Sequence, residues 1–242
     1  MENRILCIVE NRILCIGDIH GCANTLKSLI NKINLTQEDT LVFLGDYVDR
    51  GDKVFEVVDF LVELDKKYTC IFIKGNHDHM WINYLKNKSR MEEINTFFFN
   101  GGQSTLDSYC MKVFGEKKHN ILWDEIPESH QRFFENLKTI ETLEEFVFVH
   151  AGINPDFPLE EQQEHDLLWI RGNFLYYPEI ILKGKTIVHG HTPMDTYELI
   201  KYNLHEDRMN LDSGCVFGLN LTCVDVRNGT RYTQEMIDRR VA

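Results

Sequence analysis

Five short stretches of the chain concentrate carboxylate, amide and imidazole side chains next to glycines: Gly17-Asp18-Ile19-His20-Gly21, Gly45-Asp46-Tyr47-Val48-Asp49-Arg50-Gly51, Gly75-Asn76-His77-Asp78, His150-Ala151-Gly152 and His189-Gly190-His191-Thr192. Carboxylate oxygen, amide oxygen and imidazole nitrogen together suit Mn²⁺, Fe or Zn²⁺ rather than Ca²⁺, which takes oxygen donors only. Glycine lets the backbone turn sharply and leaves room for a ligand to approach. An aspartate after a glycine is more often a turn or helix cap. It is the succession of motifs that turns Asp18 from a cap into a candidate ligand.

Such residues need elements to bring them together. Arg12 to Gly17, Thr40 to Gly45 and Thr69 to Lys74 read as strands. Between them, Ala23 to Ile33 and Val54 to Asp65 carry apolar residues at helical spacing: Leu26, Leu29, Ile30 and Ile33, then Val54, Val57, Val58, Leu61 and Leu64. This β-α-β-α-β order predicts a parallel sheet with crossover helices. Each strand ends in a glycine and a polar residue, and in open α/β sheets ligands bind at the carboxyl ends of strands. Three neighbouring strands would therefore deliver Asp18, Asp46 and Asn76 to one crevice.

Beyond Met80 the character changes. Residues 80–141 mix charges with aromatics and read as a mostly helical, cap-like region broken around Asn100-Gly101-Gly102; the aromatics fit a helical core better than a stacking platform. Glu145 to Val149 and Thr186 to Val188 resume strand. Tyr197 to Lys201, Arg208 to Leu211, Leu221 to Val226 and Arg231 to Glu235 suggest a second, more antiparallel sheet. No linker or low-complexity tract interrupts the 242 residues, so one domain (1–242) is expected. The segment Glu2-Asn3-Arg4-Ile5-Leu6-Cys7-Ile8 recurs as Glu10-Asn11-Arg12-Ile13-Leu14-Cys15-Ile16, and only the second copy runs on into Gly17-Asp18, so residues 1–9 are expected to be dispensable.

The net charge of −12 disfavours nucleic-acid binding, because such a surface repels phosphate backbones. No run reaches the roughly 18 apolar residues of a membrane span, and no signal peptide is evident. Seven cysteines without a Cys-x-x-Cys pair read as buried apolar residues, not as zinc ligands or a disulfide framework. A cytoplasmic setting is expected.

The motifs Gly-Asp-x-His-Gly, Gly-Asp-x-x-Asp-Arg-Gly and Gly-Asn-His-Asp, in this order, resemble those of the phosphoprotein-phosphatase family of metallophosphoesterases, across nearly the whole catalytic core. The resemblance implies an α/β fold of two mixed β-sheets in a sandwich flanked by helices, and two divalent metal ions, manganese first with iron or zinc as alternatives. It implies that Asp18 and His20 bind the first metal, that Asp46 bridges both, and that Asn76, His150 and His191 complete the second. A metal-bridging hydroxide would attack a phosphate ester in line. His77 would protonate the leaving oxygen, Asp49 would orient His77, and Arg50 and Arg171 would bind phosphate oxygens. Two dications offset by two aspartates leave positive charge to bind an anion despite the acidic surface. His189 is open between a ligand-supporting role and none, Asp78 reads as a loop support, and the remaining histidines as surface or core. Cys215 lacks the arginine cradle of a cysteine phosphatase and, with the rest of Leu211-Asp212-Ser213-Gly214-Cys215, reads as structural.

The same resemblance splits over substrate. Small bacterial serine/threonine protein phosphatases keep the aspartate found here as Asp49. The related symmetrical diadenosine tetraphosphate hydrolases usually carry alanine there, although they share the His150 to Ile153 segment and an ending much like Leu211 to Cys215. On that residue the expectation is a protein phosphatase of broad specificity, acting on phosphorylated protein or a small phosphoester without an obligate regulatory subunit. A dinucleoside polyphosphate hydrolase is the alternative. A non-catalytic phosphate-binding scaffold is disfavoured by the presence of His77, Asp49 and Arg50.

Overall fold

The computed structural model describes residues 11–86, 90–177, 182, 184–203 and 205–238. The duplicated segment at residues 1–9 lies outside them. Strands β1 (Ile13–Ile16), β2 (Thr40–Phe43) and β3 (Thr69–Phe72) run parallel, joined by helices α1 (Ala23–Ile33) and α2 (Val54–Asp65). α1 buries Leu26, Leu29, Ile30 and Ile33, the face its spacing predicts. Asp238, near the far end of the chain, accepts from Asn24 N (3.2 Å) and Thr25 N (2.8 Å), satisfying amide donors that a helix start leaves unpaired.

Four helices follow: α3 (Asn76–Lys86), α4 (Met91–Phe99), α5 (Gly102–Phe114) and α6 (Glu128–Glu135). Their aromatics form a packed cluster, with Trp81 stacked on Tyr84 and Phe97 and tilted against Tyr109. The helical stretch ends earlier than the sequence suggests, because β4 (Ile140–Leu143) pairs antiparallel with β5 (Phe146–Val149). Short helices α7 (Glu164–Trp169) and α8 (Gly172–Leu175) precede β6 (Thr186–His189).

The segment expected as a strand at 197–201 is helix α9 (Thr196–Tyr202). Local capping decides it. The Asp195 carboxylate accepts from the amides of Tyr197 (2.8 Å) and Glu198 (2.9 Å), and the Glu198 carboxylate accepts from Asp195 N (3.0 Å), a reciprocal box that starts a helix whatever the strand propensity of the residues inside. Strands β7 (Arg208–Asn210), β8 (Asn220–Asp225) and β9 (Arg231–Glu235) complete the fold.

There are two mixed sheets, ordered β3-β2-β1-β8-β9 and β4-β5-β6-β7. The second sheet is less antiparallel than expected: β5, β6 and β7 run parallel, while β8 joins the first sheet antiparallel to β1 and β9 pairs antiparallel with β8. Alternation along β1 explains the layering. Ile13 and Cys15 face the second sheet, in a core with Phe146, Phe148 and Val188, while Leu14 and Ile16 face the helices. Buried on both sides, β1 is continuously apolar. Among the described residues no helix is long and apolar enough to cross a membrane.

Candidate active site and metal centre

The site is built on the loops that follow β1, β2, β3, β5 and β6. The first two are fastened to each other by backbone: Ile19 N and His20 N donate to Asp46 O at 3.2 and 2.8 Å, and Gly21 N donates to Tyr47 O at 3.0 Å. Asp78 fastens the third. Its carboxylate accepts from Asp46 N (2.8 Å), Gly75 N (2.8 Å) and Tyr47 N (3.0 Å), the loop-supporting role read from the sequence. His20, Asp46, Asp49, Arg50 and His191 all have φ between 46° and 69°, a region costly for residues with a β-carbon and met mainly where surrounding structure imposes it. Two glycines make the closest approaches possible. A β-carbon at Gly75 would lie 2.1 Å from Asp46 Oδ1, and one at Gly190 would lie 2.1 Å from Asp18 Oδ1.

Every residue expected to ligate metal is buried in this cluster: Asp18, His20, Asp46, Asn76, His150 and His191. The hydrogen bonds define which atoms face inward. His150 Nδ1 donates to Leu44 O (2.8 Å), so its Nε2 carries a lone pair. That lone pair faces other acceptors, Asn76 Oδ1 at 2.9 Å and Asp46 Oδ1 at 3.4 Å, with His191 Nδ1 3.2 Å away. His20 Nδ1 likewise donates to Val48 O (2.8 Å), leaving Nε2 to face Asp46 Oδ2 at 3.3 Å. Acceptors turned toward one another, with the His20 and His150 rings each locked by a backbone carbonyl behind it, are a donor set that could hold a cation. Two compact groupings emerge, His20-Asp46-His77 and Asp46-His150-His191, and Asp46 belongs to both. Asp18 stands beside the second, its carboxylate accepting from His191 N (3.1–3.2 Å).

Burial acts on these charges in two directions. Burial, together with Asp212 and Asp46, pushes the Asp18 carboxyl well above its usual range. Burial pushes Asp212 up to about 7, against a hydrogen bond from Gly214 N. Burial also lowers the imidazoles of His20, His150 and His191, the last to about 2. Asp46 goes the other way, since the imidazoles of His150, His77, His20 and His191 outweigh its burial. With Asp18 and Asp212 driven toward their neutral form and His20, His150 and His191 toward theirs, the pocket is short of positive charge, which dications held among these residues would supply.

His77 is set apart by its partner. Its Nδ1 is 2.7 Å from Asp49 Oδ2, while its Nε2 lies 4.0 Å from Asp46 Oδ2 and faces the centre. Burial raises the Asp49 carboxyl, with hydrogen bonds from His77 and Thr105 pulling back. Thr105, on α5, was not singled out from the sequence. Its hydroxyl donates to Asp49 Oδ1 (2.6 Å) and accepts from Asp49 N (2.8 Å). The Gly101-Gly102 turn at the start of α5 was the available signal. A β-carbon at Gly101 would press on Arg50 Cγ at 3.0 Å, and one at Gly102 would collide with the Phe97 ring. Arg50 Nη1 lies 2.8 Å from His20 Nε2, and Arg171 Nη1 donates to Thr192 Oγ1 (3.1 Å), so the arginines approach the centre on the His20 and the His191 sides.

His189 is buried behind the site against Phe174 and Tyr202, its Nε2 3.2 Å from the Tyr202 hydroxyl, and belongs to neither metal grouping. Asp212, which the sequence left as structural, sits beside Asp18. A β-carbon at Gly17 would lie 2.3 Å from Leu211 O, so the two loops are in backbone contact.

The chain is similar to known proteins over most of its length. It is 26% identical over 236 residues to an asymmetrical bis(5'-nucleosyl)-tetraphosphatase of Oceanobacillus iheyensis, covering 86% of this chain and 85% of that protein. It is 27% identical over 230 residues to the protein of the same description from Bacillus subtilis, covering 86% and 87%. Among solved structures, one assigned provisionally as a diadenosine tetraphosphatase superposes with a TM-score of 0.65 at 22% identity, covering 94% of this chain and 95% of the other. A protein serine/threonine phosphatase from Saccharomyces cerevisiae superposes with a TM-score of 0.60 at 18% identity, covering 95% and 81%. At those identities the structures speak for the fold alone, but the sequence profile of the calcineurin-like phosphoesterases matches residues 11–222, and the chain belongs to that family.

Proposed function

We propose that this phosphoesterase hydrolyses dinucleoside polyphosphates, with a bis(5'-nucleosyl) tetraphosphate as its substrate. The observation that carries the reading is the similarity, over 86% of the chain, to proteins described as asymmetrical bis(5'-nucleosyl)-tetraphosphatases. The expectation from Asp49 pointed to a protein phosphatase. In this fold Asp49 serves the orientation of His77, a task any leaving oxygen requires, so its presence does not select a phosphoprotein over a dinucleotide. The alternative weighed on the sequence was symmetrical cleavage, into two nucleoside diphosphates. The relatives favour the asymmetrical course, into a nucleoside triphosphate and a monophosphate.

Two divalent cations would be held by Asp18, His20, Asp46, Asn76, His150 and His191, and when bound they supply charge for the phosphates and activate water. Manganese is the proposed metal, and reconstitution with Mn²⁺, Fe²⁺ or Zn²⁺ in parallel tests it. Arg50 and Arg171 grip phosphate oxygens from the His20 and His191 sides, a pair of contacts suited to a chain of phosphates. His77, turned by Asp49 so that Nε2 faces the centre, delivers a proton to the departing phosphate oxygen.

The test is kcat/KM for diadenosine tetraphosphate and for a phosphothreonine peptide, with nucleotide products separated. Faster turnover of the dinucleotide into ATP and AMP is expected. ADP as sole product restores the symmetrical course, and a preference for the peptide overturns the reading.

A further inference from the structure

A dinucleoside polyphosphate offers a protein two kinds of surface, a chain of phosphates and the flat faces of its bases. The metal centre and the arginines answer only the first. On an acidic protein the bases need an apolar partner near the mouth of the site.

Phe217 is placed for that. It closes a single tight turn, Cys215–Phe217, bracketed by Gly214 (φ 70°) and Gly218 (φ 89°). Phe217 N donates to Gly214 O (3.0 Å) and Gly218 N donates to Cys215 O (2.9 Å). The turn sends its first two side chains inward and the third outward: Cys215 is 2% exposed, Val216 7%, and Phe217 44%. The turn also belongs to the site, since it follows Asp212, which flanks Asp18. The Arg50 guanidinium lies over the Phe217 ring, 5.4 Å from its centre. A single exposed phenylalanine is ordinary on a protein surface. One that leans on the arginine proposed to grip phosphate is not placed by packing alone, and Leu219, which packs over Gly214 at the start of the same turn, is 43% exposed as well.

We infer that Phe217 is a specificity-determining residue, the ring on which a nucleobase of the substrate stacks while Arg50 holds the adjoining phosphates. This rests on the dinucleotide reading above. The residue takes no part in bond breaking. Its contribution is to binding, and stacking of a base on an aromatic ring is worth about 5- to 150-fold in affinity. Any purine fits such a ring, so it selects nucleotides over phosphopeptides or inorganic polyphosphate without selecting among bases.

The experiment compares metal-loaded wild type, Phe217→Ala and Phe217→Trp. Dissociation constants for ADP and for inorganic pyrophosphate are measured by calorimetry, and kcat/KM for diadenosine tetraphosphate alongside. In Phe217→Ala the ratio of the ADP constant to the pyrophosphate constant is expected to rise about 10-fold, with a matching fall in kcat/KM carried by KM. Phe217→Trp is expected to restore both. An unchanged ratio overturns the inference. So does an equal weakening of both ligands, which would make the ring a support for Arg50 alone. A wild-type protein inert toward diadenosine tetraphosphate fails before any variant is compared, and removes the dinucleotide reading together with this one.

Discussion

The floor of the site and the helical layer beside it are both buried, yet they are held by opposite means. In the floor, Asp46, Asp49, His20 and His191 combine positive φ with polar contacts in which nearly every atom has one specified partner. In the layer, Trp81, Tyr84, Phe97 and Tyr109 share overlapping ring contacts in which each partner is backed by others. The floor places charge at the cost of strain and repulsion. The layer supplies apolar burial that offsets it, and meets the chemistry at the first turn of α3, which carries Asn76 and His77, and at Thr105 and the Gly101-Gly102 turn of α5. The comparison makes a general claim: substitutions in the floor should change activity more than stability, and those in the layer the reverse.

The largest effect should come from Asp46→Asn. Asp46 belongs to both groupings, so the variant is expected to lose metal from both and retain less than about 0.1% of kcat, with a folded far-UV spectrum. Metal analysis after desalting checks it, and two bound ions per chain would break the assignment of Asp46 as the shared ligand. Next, His77→Asn is expected to lower kcat by about 10³-fold while metal content stays at two per chain. An emptied site would make His77 a ligand in place of Asp18. In the layer, Trp81→Ala removes a fully buried ring and should lower unfolding free energy by about 3–5 kcal/mol, with kcat of the folded fraction within about twofold of wild type. Denaturant melts and active-site titration separate the two.

A smaller effect sharpens the same contrast through pH. Burial lowers His130, in α6, to about 4 from its usual 6.5, against the exposed carboxylate of Asp59 3.8 Å away; the Tyr109 hydroxyl bonds its other ring nitrogen. The folded protein therefore holds His130 neutral where the unfolded chain takes up a proton. Between about pH 6.5 and pH 4 the unfolded state binds more protons, so stability falls as pH is lowered through that window, by about 3 kcal/mol. Melting curves of His130→Gln should be flatter over the same range, and an unchanged slope would assign the acid sensitivity elsewhere. The smallest effect is expected at Arg171, which is exposed. Arg171→Ala should raise KM about 10-fold, with metal content unchanged.

Legibility followed the same division. Asp18, His20, Asp46, Asp49, Arg50, Asn76 and His77 lie in compact motifs at the ends of three successive strands, so one local pattern gave the element and its cargo together. His150 and His191 carry little signal by themselves, and were readable only because the earlier motifs implied them. Thr105 and Asp212 gave none of their own, the Gly101-Gly102 turn being the one indirect pointer to Thr105, since a threonine in a helix and an aspartate in a turn are ordinary residues until something folds against them. The misassigned strand at 197–201 was a failure of scale. Tyr, Leu and Ile look extended in isolation, but the Asp195 and Glu198 carboxylates cap the segment as a helix.

By itself, then, the order of residues determined the parallel β1-β2-β3 unit and the chemistry of the donor set, because periodicity and residue type encode them, while the carboxylate–imidazole pair at His77 was legible only through the family resemblance of its motifs. The tertiary structure alone decided that β8 and β9 extend the first sheet, that Thr105 completes the Asp49 pair, and that Asp212 and Phe217 border the site. Those contacts join residues from 56 positions apart, for Asp49 and Thr105, to more than 200, for the pairing of β1 with β8. Only the packing of two sheets and a helical layer brings them within bonding range, and no local pattern in the chain records distances of that kind.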